Sequence, residues 1–187
     1  MKQLILASQS PRRKELLEKC GIPFTVEAAE IDEALNPKIT LEEAVMDLSM
    51  RKASFILSKH PDCAVLGSDT IVVADRKVLG KPSDRSEARA MLKILSGRTH
   101  EVITGFSLVS SKRTRRDVSV SHVTFAPLSE EEISLYLESG EADDKAGAYG
   151  IQGLAGKFIT HINGDYYAIM GLPLSLVYAE LKNLEMY

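Results

Sequence analysis

The segment Ser8–Lys14 combines hydroxyl and cationic side chains in a pattern that suits anion binding. An apolar run, 4–7, precedes it, and Ser10-Pro11 is typical of a helix start because serine caps free N–H groups and proline fits the first helical position. Acidic residues stabilise such a start, yet this chain has three bases there: Arg12, Arg13 and Lys14. Hydroxyls, free N–H groups and arginines together predict a phosphate-binding cradle. Exposed bases without a ligand are the alternative.

Two charged residues interrupt apolar patterns. Asp69 lies within the run 63–74, and a carboxylate in a buried strand is costly unless it binds a metal, pairs with a cation or reacts. Lys52 lies four residues from both Leu48 and Ile56, within the apolar stripe of a predicted helix. The alternatives are an aspartate that bonds a turn at a strand end, and a lysine whose amine reaches solvent from the edge of the stripe.

Further carboxylates and a further lysine extend this set. The acidic segment 30–33 contains Asp32 and Glu33, and Mg²⁺ usually takes one or two carboxylates together with phosphate oxygens and water. A solvated acidic loop is the alternative. Lys81 lies in a Gly-Lys-Pro break, a loop position where binding residues often occur. The combination suits phosphoryl chemistry on a nucleotide, although neither a Walker-type phosphate loop nor Gly-x-Gly-x-x-Gly is present.

Composition limits the class of protein. The chain has 187 residues, of which 44% are hydrophobic and 26% charged, as in ordinary soluble globular proteins. Its net charge of −3 disfavours nucleic acid and anionic membranes as partners. Cys20 and Cys63 show no metal-binding spacing and are predicted to be reduced core residues. With no signal-like segment and no apolar run of about 20 residues, we expect a cytoplasmic protein.

The chemistry-bearing residues must be positioned by alternating helices and strands. Capping patterns predict helices after Ser10, Thr40, Asp84 and Ser129, with a last helix near Pro173. Strands are predicted at 4–7, 24–26, 63–74, 78–79, 100–109, 118–125 and 158–162. Four glycines between 147 and 156 predict a turn, a bulge or a close ligand contact. The pattern favours one α/β domain over 1–187 with a mixed sheet, and a division into two lobes around a cleft is compatible with it.

Ordered motifs along the chain resemble those of Maf proteins, which are nucleoside triphosphate pyrophosphatases linked to septum formation. The opening Ala7-Ser8-Gln9-Ser10-Pro11-Arg12-Arg13 is similar to the signature of that family. Further motifs match in order, and the resemblance covers nearly the whole chain: 31–33, 67–70, 80–82, 96–100, 144–153, 164–166 and 171–173. One departure is the segment 141–143, where a proline-containing segment is expected.

The resemblance implies a fold and an activity. The fold is an elongated, mixed and twisted sheet flanked by helices, related to inosine triphosphate pyrophosphatase (the Maf/Ham1 fold). The activity is cleavage of a nucleoside triphosphate between the α and β phosphates with a divalent cation, which would be Mg²⁺, Mn²⁺ or Co²⁺. The Tyr-Gly-Ile-Gln-Gly stretch is similar to the branch acting on dTTP and UTP.

The resemblance also assigns roles to individual positions. Asp69 matches the proton acceptor, and Glu33 and Lys52 match catalytic positions. The resemblance also implies a metal site of three carboxylates, in which Asp69 and Glu33 are ligands and Asp32 assists. Phosphate contacts are implied for Ser8, Arg13, Lys52 and Lys81, and base preference for Arg12, Thr70 and Gln152.

Alternative functions remain open at this point. A nucleotide-binding regulator of septum formation without relevant catalysis would use the same phosphate cradle. A pyrophosphatase for 7-methyl-GTP or a modified nucleotide would keep the chemistry and change the base. A nucleic-acid-binding module is disfavoured by the negative charge, and a homodimer is compatible with the sequence.

Overall fold

The computed structural model describes residues 3–184, which form both helices and strands. The strands are β1 (Leu4–Ala7), β2 (Phe24–Val26), β3 (Ala64–Ala74), β4 (Lys77–Leu79), β5 (Thr99–Ser110), β6 (Thr114–Phe125) and β7 (Ile159–Asn163). The helices are α1 (Pro11–Glu18), α2 (Leu41–Lys59), α3 (Arg85–Leu95), α4 (Glu130–Glu138), α5 (Tyr166–Met170) and α6 (Leu174–Asn183). Short 3-10 turns lie at Ala146–Ala148 and Leu154–Phe158.

Across the described residues, the strands form one seven-stranded mixed sheet. Its order is β2-β1-β3-β5-β6-β7, with β4 paired to β3. Strand β1 is parallel to both β2 and β3, whereas β4 and β7 pair in antiparallel fashion with β3 and β6. The α/β class and the mixed sheet predicted from the sequence are therefore confirmed. No helix of this part of the chain is both long and apolar enough to cross a membrane.

The described chain divides into two compact units. Unit 1 contains residues 3–69, 104–119 and 171–184, and unit 2 contains residues 70–103 and 120–170. The cleft considered from the sequence stays a prediction.

Unit 1 is built on a parallel strand pair covered by α2. Strand β1 is buried along its whole length, as four consecutive apolar residues predict. Ile5 of β1 and Val65 of β3 pack with Ala53 and Ile56, which lie on the apolar face of α2. Helix α2 begins at the predicted capping box, in which the Thr40 side chain and Glu43 each satisfy the other's backbone N–H group.

Unit 2 has an aromatic centre. The rings of Phe125, Tyr149 and Phe158 lie in edge-on or tilted contact, and Tyr136 of α4 packs edge-on against Phe158. Helix α4 begins at the predicted Ser129/Glu132 capping box. Aromatic rings of this size each remove a large apolar area from water when they pack in this way.

Several elements differ from the sequence prediction. Phe158 ends a 3-10 turn, and β7 begins one residue later, at Ile159. Cys63 is only half-buried and precedes β3. Helix α5 was not predicted because its five residues are too few to show a helical period.

Candidate active site

The first candidate element is the loop between β1 and α1. Ser10 caps α1, since its hydroxyl accepts a hydrogen bond from the Arg13 N–H at 3.4 Å. The buried Ser8 hydroxyl accepts hydrogen bonds from the Ser10 N–H at 3.1 Å and from the Arg13 guanidinium at 3.4 Å. The predicted helix start is therefore confirmed, and its hydroxyls order the loop and one arginine.

Arg13 is fixed by a backbone carbonyl from a distant part of unit 1. Its Nε donates to the Gly171 carbonyl at 2.9 Å, and the buried Ser68 hydroxyl donates to the same oxygen at 3.0 Å. Burial lowers the pKa of the Arg13 guanidinium from its usual value, while the charges of Asp69 and Glu33 act in the opposite direction. Arg13 thus lies within electrostatic reach of both carboxylates.

Lys52 brings two carboxylates together in unit 1. Its ammonium lies 2.7 Å from Oδ1 of Asp69 and 2.9 Å from Oε1 of Glu33. The side chains of Lys52 and Asp69 are only 7% and 13% exposed, whereas that of Glu33 is 59% exposed. The sequence alternative in which the Lys52 amine reaches solvent is therefore wrong. We call these three residues the Lys52 cluster.

A glycine allows the Lys52 cluster to form. A Cβ on Gly67 of β3 would lie 2.2 Å from the Ser49 carbonyl and 3.0 Å from the Ala53 N–H nitrogen, both on α2. Helix and strand therefore meet backbone to backbone, and a larger residue would force them apart. This close approach places Lys52 of α2 beside Asp69, two residues after Gly67.

The acidic loop is held by a residue that the sequence prediction missed. Arg51 donates to the carbonyl of Asp32 at 2.6 Å and to that of Ala34 at 2.7 Å, on the two sides of Glu33. Its Nε also donates to Asp47 at 3.0 Å. The i, i+4 spacing of Asp47 and Arg51 predicts only a helix-surface ion pair, and nothing in the sequence shows that distant carbonyls complete it.

The three carboxylates predicted as metal ligands are not brought together. Oδ1 of Asp32 accepts a hydrogen bond from the Ala34 N–H at 2.9 Å, which turns that carboxylate toward its own loop. In residues 3–184 no group of three or more His, Cys, Asp or Glu side chains is arranged to hold a metal. Glu33 and Asp69 do meet on Lys52, and two carboxylates with phosphate oxygens and water are a usual magnesium donor set.

Four further residues were predicted as substrate-binding positions and are not part of the Lys52 cluster: Arg12, Thr70, Lys81 and Gln152. Arg12 is half-buried in the first turn of α1, and its charge contributes to lowering the pKa of Arg13. The other three belong to unit 2. Thr70 is half-buried in β3, Lys81 is exposed between β4 and α3, and Gln152 is exposed in a turn before the second 3-10 segment.

The arrangement in unit 1 suits reactions of polyanionic substrates. A guanidinium and an ammonium can balance phosphate charge, hydroxyls and helix N–H groups can orient phosphate oxygens, and a carboxylate can take a proton from water.

The profile of the family described as Maf-like protein matches residues 3–184. The chain belongs to this family. The resemblance seen in the sequence motifs is thereby confirmed.

Curated Maf-like relatives match almost the whole chain. A protein of Bacillus mycoides named dTTP/UTP pyrophosphatase is 46% identical over 185 residues, 99% of this chain and 97% of its own. A protein of the same name from Bacillus cytotoxicus is 48% identical over 185 residues, with the same coverage.

A solved structure supports the predicted fold of this Maf-like chain. The Staphylococcus aureus Ham1 protein superposes with a TM-score of 0.55 and 12% identity, over 97% of this chain and 99% of its own. At that identity the likeness concerns the fold alone, and it confirms the expected relation to the Maf/Ham1 fold.

Proposed function

We propose that this chain is a nucleoside triphosphate pyrophosphatase that hydrolyses dTTP and UTP to the monophosphate and pyrophosphate. The observation that carries the proposal is the Lys52 cluster, in which a buried ammonium holds Asp69 and Glu33 within electrostatic reach of Arg13. The base preference is supported by the Bacillus relatives named dTTP/UTP pyrophosphatase.

Asp69 is assigned the role of activating the water that attacks the substrate. Its carboxylate orients a water molecule toward the α phosphorus and accepts one of its protons. The water oxygen forms a new bond to that phosphorus, and the bond from phosphorus to the α–β bridging oxygen breaks. The nucleoside monophosphate and pyrophosphate leave, and the proton on Asp69 passes to solvent. Lys52 keeps the Asp69 carboxylate in one orientation through its 2.7 Å contact.

Cations and hydroxyls are assigned to the triphosphate. Arg13 is preorganised by its hydrogen bonds to Gly171 and Ser8, so little ordering of its side chain is needed when phosphate binds. Lys52 and Arg13 offset the charge that develops on the leaving pyrophosphate. Lys81 is assigned to phosphate binding by the family resemblance alone.

A divalent cation is proposed as cofactor, held by Glu33 and Asp69. Bound there, Mg²⁺ or Mn²⁺ would supply charge neutralisation on the phosphate oxygens. Asp32 is instead assigned to ordering the loop, because its carboxylate bonds the Ala34 N–H. The pair of carboxylates fits this donor set without a third.

Base selection is assigned to three further residues by the resemblance. Gln152 carries an amide that can both donate to and accept from a pyrimidine edge, and it is exposed. Thr70 and Arg12 are the other positions matched to base preference. Each assignment is tested by the ratio of rates on different bases.

The deciding experiment is a substrate panel. Purified protein is incubated with dTTP, UTP, dCTP, dGTP, dATP and 7-methyl-GTP, with Mg²⁺, Mn²⁺ or Co²⁺, and pyrophosphate and orthophosphate are measured separately. We expect pyrophosphate release, fastest on dTTP and UTP. In water enriched in ¹⁸O, the label is expected in the monophosphate, because attack is at the α phosphorus.

Each other outcome contradicts a defined part of the proposal. Orthophosphate as the first product would overturn cleavage between the α and β phosphates. Faster release from 7-methyl-GTP would overturn the base preference and keep the chemistry. Tight nucleotide binding with no release from any nucleotide would overturn catalysis and favour the regulator of septum formation.

A further inference from the structure

The turn that carries Gln152 is tightly constrained within unit 2. The Gly153 N–H donates to the Gly150 carbonyl at 3.1 Å, which closes a turn with Ile151 and Gln152 at its centre. Ile151 is buried, whereas Gln152 is exposed. The turn is thus anchored on its buried residue and presents the amide beside it.

Two side chains outside the turn hold its ends. The Gly150 N–H donates to the Tyr136 hydroxyl at 3.3 Å, and the Leu154 N–H donates to Oε2 of Glu141 at 2.8 Å. The Tyr136 hydroxyl in turn donates to Oε1 of Glu141 at 3.0 Å. A tyrosine of α4 and a glutamate just after that helix therefore form one chain of hydrogen bonds around Gln152.

Packing supports the same arrangement independently of these hydrogen bonds. A Cβ on Gly153 would lie 2.2 Å from Oε2 of Glu141 and 2.4 Å from its carboxyl carbon. The Glu141 carboxylate therefore occupies the space that any side chain at position 153 would take. A residue larger than glycine would displace this carboxylate from the turn.

The tyrosine keeps its proton in this environment. Burial raises the pKa of Tyr136 far above its usual value, and the Glu141 charge acts in the same direction. Tyr136 is therefore a hydrogen-bond donor to Glu141 throughout the neutral range and can still accept from the Gly150 N–H.

We propose that Glu141 and Tyr136 are positioning residues that fix the turn 150–153 and thereby orient Gln152 for selection of the pyrimidine base. The inference rests on the proposed function, and it concerns selection of the base and not the chemical step. Neither residue is assigned a contact with substrate. Their effect on catalysis passes through the orientation of Gln152.

Three variants remove the constraint by different routes. Glu141→Ala removes both carboxylate hydrogen bonds, and Tyr136→Phe removes the hydroxyl while keeping the ring. Gly153→Ala leaves both residues in place and pushes the Glu141 carboxylate aside. Glu138→Ala, an exposed glutamate at the end of α4, is the matched control.

The kinetic readout separates positioning from general damage. We expect each of the three variants to raise KM for dTTP and UTP about tenfold, the equivalent of about one misplaced hydrogen bond, with kcat within about twofold of the wild type. The preference for dTTP over dGTP should fall by about the same factor. Glu138→Ala should leave KM, kcat and preference unchanged.

Hydrogen exchange provides a readout that does not depend on activity. The amides of Gly150 and Leu154 should exchange faster in Glu141→Ala, while amides of β1 keep their wild-type protection. If Glu141→Ala does not fold, Glu141→Gln replaces it, since the amide keeps the shape and loses one of the two acceptors.

The outcomes distinguish this inference from the proposed function. Faster exchange with unchanged base preference would overturn the inference, as would an equal loss of kcat on every nucleotide. If the wild type hydrolyses no nucleotide, the proposed function fails, and the inference is then decided by the equilibrium binding of dTTP against dGTP. In that case, an equal ratio of dTTP to dGTP affinity in wild type and Glu141→Ala would overturn the inference.

Discussion

The Lys52 cluster and the surroundings of Gln152 are held by different kinds of interaction. Around Lys52, an ammonium lies 2.7–2.9 Å from two carboxylates and beside an arginine. Around Gln152, the constraint consists of neutral donors, one carboxylate and glycines that permit close packing. The first arrangement suits charge that changes during a reaction, and the second suits a fixed shape that a base must match.

The two units also differ in how they surround a buried titratable side chain. In unit 2, His100 lies edge-on to both Phe125 and Tyr149 and shares a 2.8 Å hydrogen bond with the Tyr149 hydroxyl. Its other ring nitrogen is buried without a hydrogen-bond partner in the described structure. A charge would be poorly accommodated there, whereas in unit 1 the buried Lys52 charge is paired twice. Changes in unit 1 should therefore affect turnover first, and changes in unit 2 should affect stability and selection first.

Replacing Asp69 should have the largest effect. Asp69→Asn keeps the shape and removes the carboxylate that we propose as proton acceptor, so kcat for dTTP should fall about a thousandfold. Pyrophosphate release measures this loss, and dTTP binding by calorimetry should remain within about tenfold of the wild type. Glu33 still pairs with Lys52 in the variant, which limits the accompanying loss of stability.

The matched control for this variant is Asp62→Asn. Asp62 is exposed just before β3, and its replacement should leave turnover unchanged. Turnover of Asp69→Asn close to that of the wild type would remove Asp69 from the mechanism.

Acidification should destabilise the protein through His100. Burial lowers its pKa to about 4 from the usual 6.5. Between these values the unfolded chain binds a proton that the folded protein does not, so the free energy of unfolding falls as pH decreases from 6.5 to 4. The loss from this group should reach about 3 kcal/mol at pH 4 and should be absent above pH 7.

The measurement is urea unfolding of wild type and His100→Gln at pH 7 and pH 4. Glutamine keeps a hydrogen-bonding group toward Tyr149 and cannot titrate, so the wild type should lose about 3 kcal/mol more than the variant over this range. His161→Asn, at an exposed position of β7, serves as control. Parallel pH profiles of wild type and His100→Gln would refute the role of His100.

Enlarging Gly67 should separate α2 from β3. The added methyl group of Gly67→Ala meets the Ser49 carbonyl and the Ala53 backbone, which cannot move like a flexible side chain, so unfolding should become easier by about 1–3 kcal/mol. Because Lys52 lies on the displaced helix, kcat should fall as well. Thermal unfolding and turnover of Gly67→Ala, compared with Gly80→Ala at an open position, test this. Unchanged stability would contradict backbone contact at Gly67.

Part of this comparison was predictable from the sequence. Asp69 and Lys52 were identified because charge within an apolar pattern needs a local explanation, and the capped starts of α1 and α2 follow from short-range chemistry. The contact between Lys52 and Glu33 was not predictable, since it joins a helix to a loop 19 residues earlier. Glu141 was noted only as part of a departure from the family pattern, because its hydrogen-bond donors and the space beside Gly153 are brought to it only in the folded chain.

Arg51 offers the finest test of the Lys52 cluster. Arg51→Ala removes both hydrogen bonds that hold the carbonyls beside Glu33, so the loop loses order and kcat should fall about tenfold while the Asp69–Lys52 pair persists. Arg51→Lys keeps the charge and loses the fork that reaches two carbonyls, so its kcat should lie between those of alanine variant and wild type. Asp47→Asn removes only the ion pair on α2 and should change kcat by less than about twofold. If Arg51→Ala and Asp47→Asn had equal effects, the arginine would act only as a helix-surface partner, and the position of Glu33 would depend on Lys52 alone.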